Sequence, residues 1–203
     1  MKKTNLIFGL LLMSILLIFS ELLAQGYVCI DPGHGGTDPG ALGKVYGVKE
    51  KDANLTVALA LRDKIILSQS LYRVFMIRTT DETIYNNVRA EMAKDAGAAY
   101  FISVHHNSSN DTSVNGTEAY YCNAEYTDSG EWRGIPIMYG ARDSTFAKKV
   151  RLTLRDSLQH TYRCSPQILC SGSGPCCMSC YTVLKNTTMP SVLSEASFIL
   201  SLG

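Results

Sequence analysis

The chain has 203 residues, 46% of them hydrophobic, and its 19 lysines and arginines against 18 aspartates and glutamates leave a formal net charge of +1. That balance gives no electrostatic case for nucleic acid or any other polyanion as partner. No internal repeat or low-complexity segment interrupts the sequence, and no second domain is visible in it.

At the N-terminus, Lys2 and Lys3 precede a nearly unbroken apolar run from Leu6 to Phe19. It is too short and wrongly flanked for a membrane span, and it reads as a secretory signal peptide over residues 1–25, cut near Ala24 or Gln25. No cysteine stands at that junction to carry a lipid. Its removal leaves residues 26–203, enough for one domain with a sizeable core. The same cut takes away Lys2, Lys3 and Glu21, so the exported chain carries zero formal charge. The expected destination is the periplasm, the cell envelope or the medium, with no membrane span after cleavage.

Beyond the leader, "YVCI" (27–30) is a short buried strand that ends at Asp-Pro-Gly punctuation. From Asp52, "DANLTVALALRDKIILSQ" puts Leu55, Ala58, Leu59, Ile65 and Ile66 on one face and predicts a helix. "YRVFMIRT" (72–79) is strand-like. "DETIYNNVRAEMAKDAG" (81–97) spaces Ile84, Val88 and Met92 by four residues and closes on Gly97, a second helix. "AYFISV" (99–104) and "GTEAYYC" (116–122) predict two more strands. Residues 124–142 carry turn formers and the single tryptophan without a period, and read as a long loop. Phe146, Val150, Leu154 and Leu158 then recur every fourth residue in a third helix, and "YTVLK" (181–185) and "SVLS" (191–194) look like final strands. Strands alternating with helices predict one α/β domain, a twisted and mainly parallel sheet with helices on both faces.

All seven cysteines lie in the exported part, and Cys164, Cys170, Cys176, Cys177 and Cys180 crowd together near the C-terminus. In an oxidising compartment that crowding favours disulfides stapling a loop, of unreadable connectivity. "CSGSGPCCMSC" lacks the paired CxxC geometry of strong structural zinc sites. Cys29, inside an apolar run, reads as a buried thiol.

Open α/β sheets place their chemistry in the crevice beyond the carboxyl ends of the strands. Three groups stand at predicted strand ends: His34 in "IDPGHGGTDPG", His105 after "FISV", and Glu195 after "SVLS". A fourth, Glu50, lies where the glycine-rich loop gives way to the first helix. Two imidazoles and a carboxylate can hold zinc and leave a fourth position for water, the composition of a catalytic site. Bound zinc lowers the pKa of water to about 7 and polarises a carbonyl. The remaining carboxylate, Glu195 in apolar surroundings, could take the water's proton and pass it to a leaving nitrogen.

Each residue also has a plainer reading. His34 could decorate a turn, Glu50 could be a first-turn acid at a helix N-terminus, and Glu195 could pair with Arg78 or Arg89. Asp31 could orient a ligand histidine or simply build an Asp-Pro turn. Strand alternation sends His105 and His106 to opposite sides, so only one is an easy ligand.

"IDPGHGGTDPGALG" followed by "KEKDANL", then "RTTD", Arg89, "ISVHHN" and "MPSVLSEASF", resembles the zinc-dependent N-acetylmuramoyl-L-alanine amidases of the amidase-3 type, from about Tyr27 to Leu200. The resemblance implies one Zn2+ held by His34, Glu50 and His105, with Glu195 as catalytic glutamate, and it selects His105 over His106. It implies a peptidoglycan substrate, cut between the lactyl group of N-acetylmuramic acid and L-alanine in wall remodelling or cell separation, with a protein activator as a conceivable partner. Three features depart from the pattern. Ser197 stands where glycine is usual, the segment 164–180 reads as an insertion, and the sequence stops at Gly203 where similar proteins tend to continue into another helix. Two other readings stay open: a related zinc wall hydrolase, such as a carboxypeptidase or deacetylase, and a non-catalytic amidase-like binding or regulatory protein. Retention of His34, Glu50, His105 and Glu195 weighs against the last.

Overall fold

The computed structural model describes residues 26–43, 47–68, 71–109, 111, 113–114, 116–122, 138–159, 177–178 and 181–199. The leader 1–25, most of the loop 124–142 and most of the cysteine-rich stretch 164–180 lie outside the described residues. In chain order the elements are β1 (Tyr27–Pro32), α1 (Glu50–Leu67), β2 (Arg73–Met76), α2 (Asn86–Asp95), β3 (Ala98–Asn107), β4 (Glu118–Tyr121), α3 (Met138–Leu158), β5 (Cys177–Met178), α4 (Thr182–Lys185) and β6 (Ser191–Phe198).

The six strands form one sheet in the order β2-β1-β3-β6-β4-β5. Every pairing is parallel except that of β4 with β6. Strand alternation divides the apolar residues between two cores. Val28, Ile30 and Val104 face α1, where they meet Ala58, Leu61 and Ile65. On that same face Val192 and Ala119 pack against Ala147, Phe146 and Val150 of α3. Their neighbours one residue along, Cys29, Phe101, Tyr120 and Leu193, point the other way and pack with Ala93 of α2 and Val183 and Leu184 of α4. Helices therefore cover both faces, as the alternation of elements predicts.

Boundaries differ where packing overrides local pattern. The buried stripe of α1 runs through Asn54, Ala58, Leu61 and Ile65, while Ile66, predicted to be inside, is 60% exposed. The helix starts two residues earlier than its apolar period, and its first turn buries Glu50 and Lys51. The predicted second helix loses its first five residues to a loop, and the predicted loop 124–142 ends sooner because α3 starts at Met138. "YTVLK" is a correction. Its β-branched residues suggest a strand, but Tyr181 accepts from the amides of Leu184 and Lys185, closing a single helical turn that buries Val183 and Leu184. Cys29 is a free thiol, fully buried, and Cys122 is disulfide-bonded.

Candidate metal centre

The loop after β1 does the first part of the construction. Gly33 donates its amide to Val104 on β3, which holds the loop against the neighbouring strand. His34 follows with φ 60°, in the left-handed region, and Gly35 and Asp38 exchange two backbone hydrogen bonds that close the turn beyond it. The conformation is enforced from outside by buried cations. Arg78 donates to the carbonyls of Pro32, Gly33, Thr80 and Lys51. Arg89 donates to those of Ile84, Pro32 and His34, and its Nη1 lies 2.6 Å from Asp31 Oδ1. Lys51 reaches Gly36 O and Asp81, while the Asp81 carboxylate takes the Gly36 amide. The residues 81–85, read from sequence as the start of a helix, are thus used as a strap over this loop.

The turn aims His34 at the N-terminus of α1. Its Nδ1 donates to Asp38 Oδ2 at 2.8 Å, and its Nε2 lies 3.1 Å from Glu50 Oε2. Glu50 Oε1 in turn lies 2.9 Å from His105 Nδ1 at the end of β3. One ligand atom from each of His34, Glu50 and His105 falls within a 4.8 Å cluster, the only such group found among the described residues. Two glycines make this approach feasible. A Cβ at Gly33 would stand 2.1 Å from His105 Nε2, and one at Gly40, where φ is +65°, would stand 2.6 Å from both Glu50 Oε2 and His34 Cδ2.

His106 turns to the other side of the sheet, where its Nδ1 meets Asn54 Oδ1 at 2.8 Å. Asn54 also donates to Gly33 O and Glu50 Oε1, so it ties the ligand loop, the carboxylate and the spare histidine together. Asp31 neither orients a histidine nor forms a simple turn. Its two oxygens take Arg89 and the Ser103 hydroxyl inside the sheet.

Glu195 shares with the cluster a cavity of about 320 Å³, which Asn86, Arg89 and Tyr181 also line. It pairs with neither Arg78 nor Arg89, whose hydrogen bonds go to the groups above. Its Oε2 is buried with no hydrogen-bond partner among the described residues. Burial and the nearby charges of Glu50 and Glu118 push its carboxyl well above the ordinary range. Burial would do the same to Glu50, but hydrogen bonds from His105 and His34 outweigh it and hold that carboxyl well below. For His34 burial favours the neutral ring, yet Glu50 and Asp38 together raise its pKa. Burial lowers that of His106, favouring its neutral ring. The carboxyl inside the cluster, Glu50, and the one beside it in the cavity, Glu195, are thus shifted in opposite directions, the first toward ionisation and the second toward the protonated form.

The family model for N-acetylmuramoyl-L-alanine amidases matches residues 28–201. The chain belongs to that family. The sporulation-specific N-acetylmuramoyl-L-alanine amidase of Bacillus subtilis is 30% identical over 172 residues, covering 85% of this chain, and the amidase LytC of the same organism is 29% identical over 173. The chain spans 56% and 29% of those relatives' lengths. Among solved structures, the amidase AmiC2 of Nostoc punctiforme superposes with a TM-score of 0.68 at 28% identity, over 87% of this chain and 82% of its own. An amidase from Clostridium difficile 630 gives 0.69 at 27%, over 88% and 82%. Two half-buried histidines, the glutamate between them and the glycine cradle make a donor set of imidazole nitrogens and one carboxylate oxygen, which suits a divalent ion such as zinc.

Sequence reasoning did not single out Asn54 or Glu118 as part of this neighbourhood. Both carried a signal: each is a polar residue in a stripe that is otherwise apolar, at the position where the stripe should be buried.

Proposed function

We propose that this protein hydrolyses the amide bond between N-acetylmuramic acid and L-alanine of peptidoglycan, with one zinc ion held by His34, Glu50 and His105. The observation that carries the reading is the convergence of those three side chains, with Glu195 beside them, on one cavity in a chain of this family. When bound, zinc would supply a water of lowered pKa, about 7, and Lewis-acid polarisation of the scissile carbonyl. Asp38 holds His34 through Nδ1, which presents Nε2 to the metal position and raises its basicity. Glu195 takes the proton from the attacking water and delivers it to the departing nitrogen, so that an amine leaves instead of an amide anion. A carboxyl pushed upward toward the working pH is suited to both halves of that transfer. Arg89 and Asn86 line the cavity wall where a stem peptide would enter.

Residues 1–25 fit a leader for export, and the chain would act in the periplasm or cell envelope in wall remodelling or cell separation. The disulfide at Cys122 suits an oxidising compartment. No helix among the described residues is long and apolar enough to cross a membrane.

The test uses purified protein reconstituted with zinc and given peptidoglycan. New L-alanine amino groups should appear without new reducing ends, and Glu195→Ala should abolish them. Release of D-alanine would indicate a carboxypeptidase and release of acetate a deacetylase, and either without L-alanine amines would refute the amidase reading.

A further inference from the structure

One row of side chains crosses the sheet at the level of the cavity. Glu195 on β6 has His105 of β3 as register partner on one side and Glu118 of β4 on the other. Directly opposed residues point to the same face, so the three are lateral neighbours. The first two belong to the proposed centre. The third has no part in the mechanism above, yet it is an ionisable side chain only 2% exposed, and such groups are rarely buried without a cation. Among the described residues the donors to Glu118 are instead neutral. The Tyr120 hydroxyl and Asn107 Nδ2, the latter at 2.9 Å, both bind its Oε2. Tyr120 is itself fixed edge-on against Tyr181, with ring centroids 5.3 Å apart.

Glu195 lines the cavity and Glu118 does not, so Glu118 backs the general base from the β4 side. Two donors already converge on its Oε2, so Glu118 stands on that flank as an acceptor. A donor in that place would satisfy Glu195 from behind and weaken it as a proton acceptor. Glu195 Oε2, buried and without a hydrogen-bond partner among the described residues, is the counterpart of this arrangement.

We propose that Glu118, clamped by Tyr120 and Asn107, is a positioning residue for Glu195: it occupies the flank of the general base with a group that cannot donate to it, so Glu195 takes its proton from the cavity. The inference rests on the reading of Glu195 as the proton acceptor. It makes the β4 carboxylate part of the reaction's apparatus without contact to the reacting atoms.

Glu118→Gln keeps the shape and exchanges an acceptor for a donor. Its crystal structure should show the Glu195 carboxylate rotated to accept from the new amide. With a soluble muramyl peptide, kcat should fall at least tenfold while KM and bound zinc stay within twofold of wild type. Tyr120→Phe loosens the clamp without adding a donor, and should lower kcat about threefold with KM unchanged. An unmoved Glu195 in the Glu118→Gln structure, or a kcat within twofold of wild type, overturns the proposal. If Glu118→Gln fails to fold, Tyr120→Phe decides, and a kcat within twofold of wild type then overturns it. Should wild type release no L-alanine amines, the amidase reading falls, while the crystallographic comparison still decides the role of Glu118.

Discussion

Replacing Arg89 by methionine removes the guanidinium that fastens the His34 loop to the sheet and to α2. The loss is specific. Asp31 keeps the Ser103 hydroxyl but loses its ion-pair partner at 2.6 Å, in a site where the two side chains are 1% and 3% exposed. The carbonyls of His34 and Ile84 lose their Arg89 donors, whereas Pro32 O keeps Arg78. Breaking a buried pair by removing one partner costs about 3–5 kcal/mol, because the other charge stays behind uncompensated. For a domain of this size each kcal/mol moves the melting temperature by roughly 2–4 °C, so a fall of roughly 6–20 °C is expected. The assay is reversible denaturant and thermal unfolding of the zinc-free protein, for Arg89→Met, Asp31→Asn and the double variant. Neutralising Asp31 in the Arg89→Met background should recover part of the loss, a coupling of about 0.5–3 kcal/mol. A single-variant cost below about 1 kcal/mol, within the range of an exposed ion pair, would show that the loop is held by its own backbone bonds and refute the reasoning.

Three further outcomes follow from the site. Gly40→Ala places a Cβ against both Glu50 and His34 at a φ that L residues rarely adopt, and zinc affinity measured by chelator competition should drop at least tenfold with the secondary structure intact. His105→Ala should abolish zinc binding, whereas His106→Ala should keep one zinc per chain and cost about 1–3 kcal/mol through the orphaned Asn54; equal zinc loss in the two would contradict the assignment of the doublet. Glu195 binds its proton more tightly folded than unfolded, so its contribution to stability is complete below an unfolded pKa of about 4.3 and is lost as pH rises through the raised folded value. Zinc-free Glu195→Gln should therefore gain stability over wild type as pH climbs from 4 to 8, and a pH-independent difference between the two would count against the buried, unpaired carboxyl.

The sheet and its flanking helices were legible because period separates cleanly here: β1, β3 and β6 hold short apolar runs, and α1 carries apolar residues at helical spacing while α2 and α3 repeat them every fourth residue. The four proposed site residues were legible for a different reason: His34, His105 and Glu195 are titratable groups at predicted strand ends, Glu50 stands where the glycine-rich loop meets the first helix, and the family resemblance joined them into one set. The structure brings all four to one cavity. What escaped was whatever depends on partners distant in sequence. Nothing near Asp31 says that it will meet Arg89, 58 residues on. Ile66 looked internal by period, but the site draws Glu50, Lys51 and Asn54 inward and so rotates the buried stripe of α1 toward Leu61. Glu118 lay in plain view within "GTEAYYC", yet its meaning depends on β6 inserting between β3 and β4, an order that local pattern cannot reveal.

That strand order explains why the chemistry sits at this edge. From β1 the chain goes outward to β2, then returns across β1 to β3, so the two connections diverge between β1 and β3 and open a crevice at their carboxyl ends. His34 and His105 are the first residues on either side able to enter it, and the N-terminus of α1 delivers Glu50 between them. Insertion of β6 next to β3 sets Glu195 one strand away from His105, close enough to share the cavity and too committed to its own strand to join the cluster. The antiparallel β4 then closes the flank with Glu118. The proposed ligands therefore come from a loop, a helix end and a strand end that meet at the crevice, while the proposed proton acceptor is carried on the sheet. A group proposed to shuttle a proton over a fixed distance gains from being held by strand pairing on both sides, which is how β6 holds Glu195.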